Sequence, residues 1–179
     1  MTMTDLLATT DITFEDAIAL TQALLAKLEA HEVSEADEEA AIASLVSSEN
    51  GARGFFVTYL TDERSLADQP STAVVRTLQT APDIVAELLV KNVAMSSAMA
   101  LTHRRNQDET MAQSSERVRS RTTNLIRLTQ IPLVTAKAQQ LVHSAITGSG
   151  DYQTFLTRWG YDAEQRQVIA EALEQVLVE

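Results

Sequence analysis

Few side chains in this sequence could carry out chemistry, and their spacing narrows the field further. There is no Cys, which removes disulfides, thiolate nucleophiles, iron–sulfur clusters and thiolate zinc sites. The three histidines, His31, His103 and His143, stand far apart, with no His-x-x-x-His pair and no Glu-x-x-His. Di-iron helical bundles need Glu-x-x-His twice, because each metal takes a Glu and a His one helical turn apart. Gly148-Ser149-Gly150 is too short for a phosphate-binding loop and lacks the frame of a nucleophile elbow. Asp151 is not followed by the alternating carboxylates of a calcium loop. No metal, no cofactor and no catalytic residue is expected. The sequence reads as a non-catalytic protein, with acid–base chemistry in an unflagged helical pocket as the alternative.

Two constellations remain. Arg53, Phe55, Phe56 and Tyr59 place three of the eight aromatic residues beside an arginine, and Arg and aromatics dominate interface energetics. Arg104, Arg105, Arg117 and Arg121 belong to a basic stretch that could steer an acidic protein partner. Together these eight residues form a candidate partner-binding surface. The competing reading puts Phe56 and Tyr59 in the core and the arginines in ion pairs with the acidic N-terminal helices. The second constellation lies on one helix, where Glu87 and Lys91 are spaced i, i+4, and Asn92, Ser96 and His103 follow along a face. These five suggest a ligand pocket, or else a polar seam satisfied by hydrogen bonds.

Charge is uneven. Residues 1–90 hold 16 acids and 4 bases, residues 91–150 hold 3 and 8, and residues 151–179 hold 6 and 2, giving the net charge of −11. Nucleic acid is not an expected partner, because Arg119 points away from Arg117 and Arg121 on a helix and the molecule is acidic. The first basic residue is Lys27, so no basic leader is seen, and the absence of Cys agrees with a cytoplasmic location. The most apolar charge-free window, 17–26, is about half of what spanning a bilayer needs, so no transmembrane segment is expected.

The elements that must position these residues read as helices throughout. With five Gly and three Pro, the chain lacks the turns of a sandwich or barrel. Residues 1–12 have no periodicity and read as a flexible arm; residues 13–179 read as one all-α domain, a bundle of six to eight helices. Thr13, Ser34, either Ser71 or Thr72, Asp108, Asp151 and Asp162 read as helix starts. Asn50-Gly51 reads as a left-handed stop, and 54–60 as a helix rather than a strand. Residues 83–131 contain neither Gly nor Pro. One straight helix there would be about 73 Å long, against a radius of gyration near 16 Å for a domain of this size. A break at Asn106-Gln107 is therefore expected, leaving a central apolar helix at 83–105; a continuous rod forming a homodimer is the alternative.

The stretches Asn50-Gly51-Ala52-Arg53-Gly54-Phe55-Phe56-Val57-Thr58-Tyr59-Leu60, Leu101-Thr102-His103-Arg104-Arg105-Asn106 and Phe155-Leu156-Thr157-Arg158-Trp159-Gly160-Tyr161-Asp162 resemble small acidic helical proteins of unassigned function from cyanobacteria. The similarity covers most of residues 45–175. It implies a cytosolic protein of a photosynthetic bacterium, where soluble helical adaptors and assembly factors are common, and it transfers no site residue. A helical adaptor, assembly or regulatory factor acting through protein contacts is the expected role.

Overall fold

The computed structural model describes residues 6–178, and every regular element among them is helical. Among the described residues there are nine α-helices, where the sequence suggested six to eight. The chain divides into two compact units, 1–88 and 89–179.

In the first unit, α1 (Phe14–Glu29), α2 (Glu35–Val46), α3 (Glu49–Thr61) and α4 (Thr72–Leu78) precede α5 (Pro82–Arg105), which begins here and continues into the second. A 3₁₀ turn, Ser65–Ala67, separates α3 from α4. Hydroxyl caps start the first four helices. Thr13, Ser34, Ser48 and Ser71 accept hydrogen bonds from the backbone N–H of Asp16, Asp37, Gly51 and Val74. Asn50-Gly51 is not a stop; both residues lie in the first turn of α3. Gly51 is needed there because a Cβ would sit 2.1 Å from the Leu45 carbonyl oxygen, at the close of α2. Residues 1–5 of the expected arm lie outside the described residues. Leu6 is buried, and the Ala8 N–H donates to Ser44 Oγ at 2.9 Å, so this part of the arm is docked.

α1 and α3 make the most extensive packing in this unit, and α2 packs against both α3 and α4. Leu24, Leu25, Ile42, Leu45, Leu60 and Leu78 fill its core together with Phe55 and Phe56. The Phe55 ring stacks on Tyr59 at 5.2 Å and meets Phe56 edge-on at 5.3 Å. Tyr59 donates its hydroxyl proton to the Leu66 carbonyl at 3.1 Å, satisfying a phenol that is otherwise inside.

One buried charge sits among these helices. Glu38 on α2 accepts a hydrogen bond from Ser71 Oγ at 2.7 Å. Burial raises its carboxyl pKa above the ordinary value; the Ser71 bond opposes this, and Glu35 and Glu39 add to it. A raised folded pKa means that the folded chain holds this proton more tightly than the unfolded one. The associated stability is complete below the unfolded value, about 4.3, and is lost as pH rises through the folded value. Glu38→Gln keeps an acceptor for Ser71 and removes the charge. Its unfolding midpoint is expected above wild type at pH 7, with the gap closing below about pH 4. Urea titrations at the two pH values check this, and a gap independent of pH contradicts it.

The second unit contains the remainder of α5, α6 (Glu109–Thr129), α7 (Leu133–Thr147), α8 (Gln153–Arg158) and α9 (Ala163–Val178). The expected break is present: Gln107 is left-handed at φ 59°, and Asp108 accepts from the Met111 N–H at 3.0 Å. Gly148 closes α7 with φ 75°, and Gly160 follows α8 with φ 63°. Asp162 and Gln165 form a reciprocal capping box at 2.9 and 3.0 Å. Asp151 does not cap α8. Ser144 Oγ and the Gly150 carbonyl take the N–H groups of Tyr152 and Gln153, and the helix opens after Tyr152. α7 packs chiefly on α9, with α8 against α7.

Helix α5 is long and apolar enough to cross a membrane by length and composition, with an 18-residue window of mean hydropathy 1.5. A search for charge-free windows passes over it, since Glu87 and Lys91 interrupt the apolar run. More than half of that window is buried in the fold. Val85, Ala86, Leu89, Val90, Val93, Ala94 and Ala98 have no exposed surface. The same sequence property therefore serves as core.

Candidate functional site

Of the eight residues expected to form a partner surface, the three aromatic ones lie in the core. Phe55, Phe56 and Tyr59 are 2% exposed or less, and a partner could reach them only by unfolding the first unit. Arg53 is exposed, with its guanidinium 5.0 Å above the Phe14 ring. In the second unit Arg104 pairs with Glu116 at 2.7 Å and Glu109 at 3.5 Å. Arg105 grips Asp162 through both terminal nitrogens, at 2.6 and 3.3 Å, and also binds Glu164. The Arg105 hydrogen bonds hold the Asp162 carboxyl down at about 2, with help from the backbone of Gln165. Arg117 is half-buried and Arg121 only 3% exposed. Arg104 and Arg105 are thus exposed but paired with nearby carboxylates, and Arg121 is inside.

The five expected pocket residues all lie along α5. Ser96 Oγ donates back to the Asn92 carbonyl at 2.6 Å, as helical serines do when no outside acceptor competes. Lys91 Nζ lies 5.4 Å over the Phe155 ring. His103 is half-buried in the last turn of α5, where its carbonyl accepts from the Asp108 N–H at 2.9 Å. Glu87 belongs to the first unit and the other four to the second. None of the five lines the groove that the second unit does contain.

That groove lies where the end of α7 meets the start of α9. Ala145, Ile146, Thr147, Gly148, Tyr161, Ala163, Arg166 and Gln167 enclose about 390 Å³, open to solvent. Arg166 is anchored at one end, its Nε donating to the Tyr161 carbonyl at 3.1 Å. Gly148 faces the guanidinium: a Cβ there would lie 3.4 Å from Arg166 Nη1, at ordinary contact distance. Thr147 Oγ1 donates to the His143 carbonyl at 2.8 Å, and Gln167 Nε2 to Glu171 at 2.7 Å. Tyr161 is buried, and desolvation pushes its hydroxyl up to about 12, so it stays protonated at neutral pH. Ile146 is 65% exposed, and Trp159, one residue before Gly160, is 53% exposed. The periodic apolar pattern suggested neither exposure, because a helix's outward face depends on which neighbour it meets. Among the described residues, no three His, Asp or Glu are placed to share a metal ion.

These features define an all-helical protein whose second unit carries a solvent-open groove with a fixed guanidinium and an exposed indole beside it in sequence. The chain belongs to the family described as uncharacterised conserved protein UCP020893, matched over residues 13–176. No curated protein and no solved structure matches it.

Proposed function

We propose that this chain is a non-catalytic helical protein that works through protein–protein contacts, with Trp159 as an anchor. The observation that carries the reading is the exposure of the only Trp in the sequence, 53% of its surface, at the C-cap of α8. An exposed indole keeps a large apolar area in water, and tryptophans in such positions are the side chains most enriched among interface hot spots. Its backbone is fixed, with the Trp159 N–H bonded to the Phe155 carbonyl at 3.3 Å and Gly160 turning the chain immediately after. Little conformational entropy is then lost when the ring is covered. Arg158, also exposed, adds a cation at the same corner. The stretches resembling cyanobacterial proteins support a cytosolic setting in such a bacterium, and the lack of Cys suits a reducing compartment.

A photo-crosslinking residue placed at Arg158 in living cells identifies the partner. With that partner purified, Trp159→Ala is expected to weaken binding by about 2 kcal/mol, roughly 30-fold, with the circular dichroism spectrum unchanged. Tryptophan emission in the wild-type chain reports Trp159 alone and shifts to the blue when the ring is covered. A folded Trp159→Ala protein that binds its partner as tightly as wild type overturns the reading.

A further inference from the structure

We propose that the groove between the end of α7 and the start of α9 is a binding site for an organic monocarboxylate with a short apolar body. This goes beyond the contact surface at Trp159 and does not depend on it. Arg166 is half-buried and fixed through Nε to the Tyr161 carbonyl, which leaves the Nη1 and Nη2 edge of the guanidinium. Among the described residues no carboxylate pairs with it, in contrast to Arg64, Arg76, Arg104 and Arg105. Of the other polar side chains of the wall, Thr147 donates to the His143 carbonyl, Gln167 donates one amide N–H to Glu171, and the Tyr161 hydroxyl stays protonated, so none of them offers a charge. The guanidinium is therefore the recognition group of the groove.

Its chemistry selects the ligand. The two N–H groups of a planar guanidinium edge match the two oxygens of a carboxylate, and one fixed cation balances one negative charge. A dianionic phosphate would leave excess charge in a molecule of net −11. The nearby carboxylates of Asp162 and Glu164 are bound to Arg105, which offsets their repulsion of an incoming anion. Ala145, Ile146 and Ala163 supply an apolar wall, and the exposed Ile146 side chain gains most from being covered. At about 390 Å³ the space lies within the range of small-molecule sites, about 300–1,000 Å³.

The test uses the full chain and hexanoate, followed through backbone amide resonances. Hexanoate is expected to shift the signals of residues 146–148 and 161–167 saturably. Hexanol and inorganic phosphate at the same concentration are expected to do so far more weakly. Arg166→Gln is expected to weaken hexanoate binding by about tenfold or more, as loss of a charged hydrogen-bonding partner does, and Arg166→Lys by less. Because Arg166 also holds the Tyr161 carbonyl, Ile146→Asp provides a second variant at an exposed position that leaves the guanidinium in place; it too is expected to weaken binding by about tenfold or more. The proposal is overturned by unshifted groove signals, by hexanol or phosphate binding as well as hexanoate, or by unchanged affinity in Ile146→Asp.

Discussion

Gly54→Ala is expected to destabilise the first unit by about 3 kcal/mol, near the top of the range for overpacking a close-packed contact. Gly54 on α3 faces Ala17 on α1, and a Cβ built on it would stand 2.4 Å from the Ala17 Cβ. The Ile18 nitrogen and Phe14 carbonyl oxygen lie 3.0 Å from the same point. Neither is the end of a flexible side chain, so the helices themselves must separate. That separation would open the most extensively packed helix pair of the unit. The double variant Ala17→Gly/Gly54→Ala returns the methyl to the space it left and is expected to regain part of the loss. The two backbone contacts prevent full recovery. Urea unfolding followed by circular dichroism measures both. A single variant within about 0.5 kcal/mol of wild type would mean that the helices are not in van der Waals contact at this crossing.

Phe55→Ala is the larger perturbation, expected at about 3–5 kcal/mol. The ring has no exposed surface, so truncation loses both its transfer free energy and the contacts with Phe56 and Tyr59. The cavity forms where the Tyr59 hydroxyl is tied to the Leu66 carbonyl, which limits how far that ring can move to fill the gap. Denaturant titration is again the measurement. A cost below about 1 kcal/mol would return Phe55 to the surface and revive an interface role for it.

The correction at Phe55, Phe56 and Tyr59 shows where reading stops being possible from residue types alone. Three aromatics beside Arg53 look the same whether the helix turns them inward or outward. Only the placement of α1 against α3 makes that face the core, and it leaves Arg53 outside over Phe14. The arginines pose the same problem. Arg104 finds Glu116 twelve residues away, and Arg105 finds Asp162 and Glu164 nearly sixty away. No local pattern announces a pairing between positions so distant in sequence.

Helix starts were legible for the opposite reason. Thr13, Ser34, Ser71, Asp108 and Asp162 each act on an N–H three residues along, so everything the cap needs is in the neighbouring sequence. The all-helical class follows likewise from scarce Gly and Pro and from apolar spacing, and the break near Gln107 from its polar neighbours. Asn50-Gly51 has the local signature of a stop, yet the close Leu45 carbonyl and the Ser48 cap draw both residues into α3. The groove has no local signature at all, since Ile146 and Gly148 meet Tyr161 and Arg166 only after α8 has turned the chain back. Capping and periodicity act within a turn or two of helix and are written into adjacent residues. Burial, ion pairing and concavity depend on which helix faces come together, and that is decided by packing the whole chain at once.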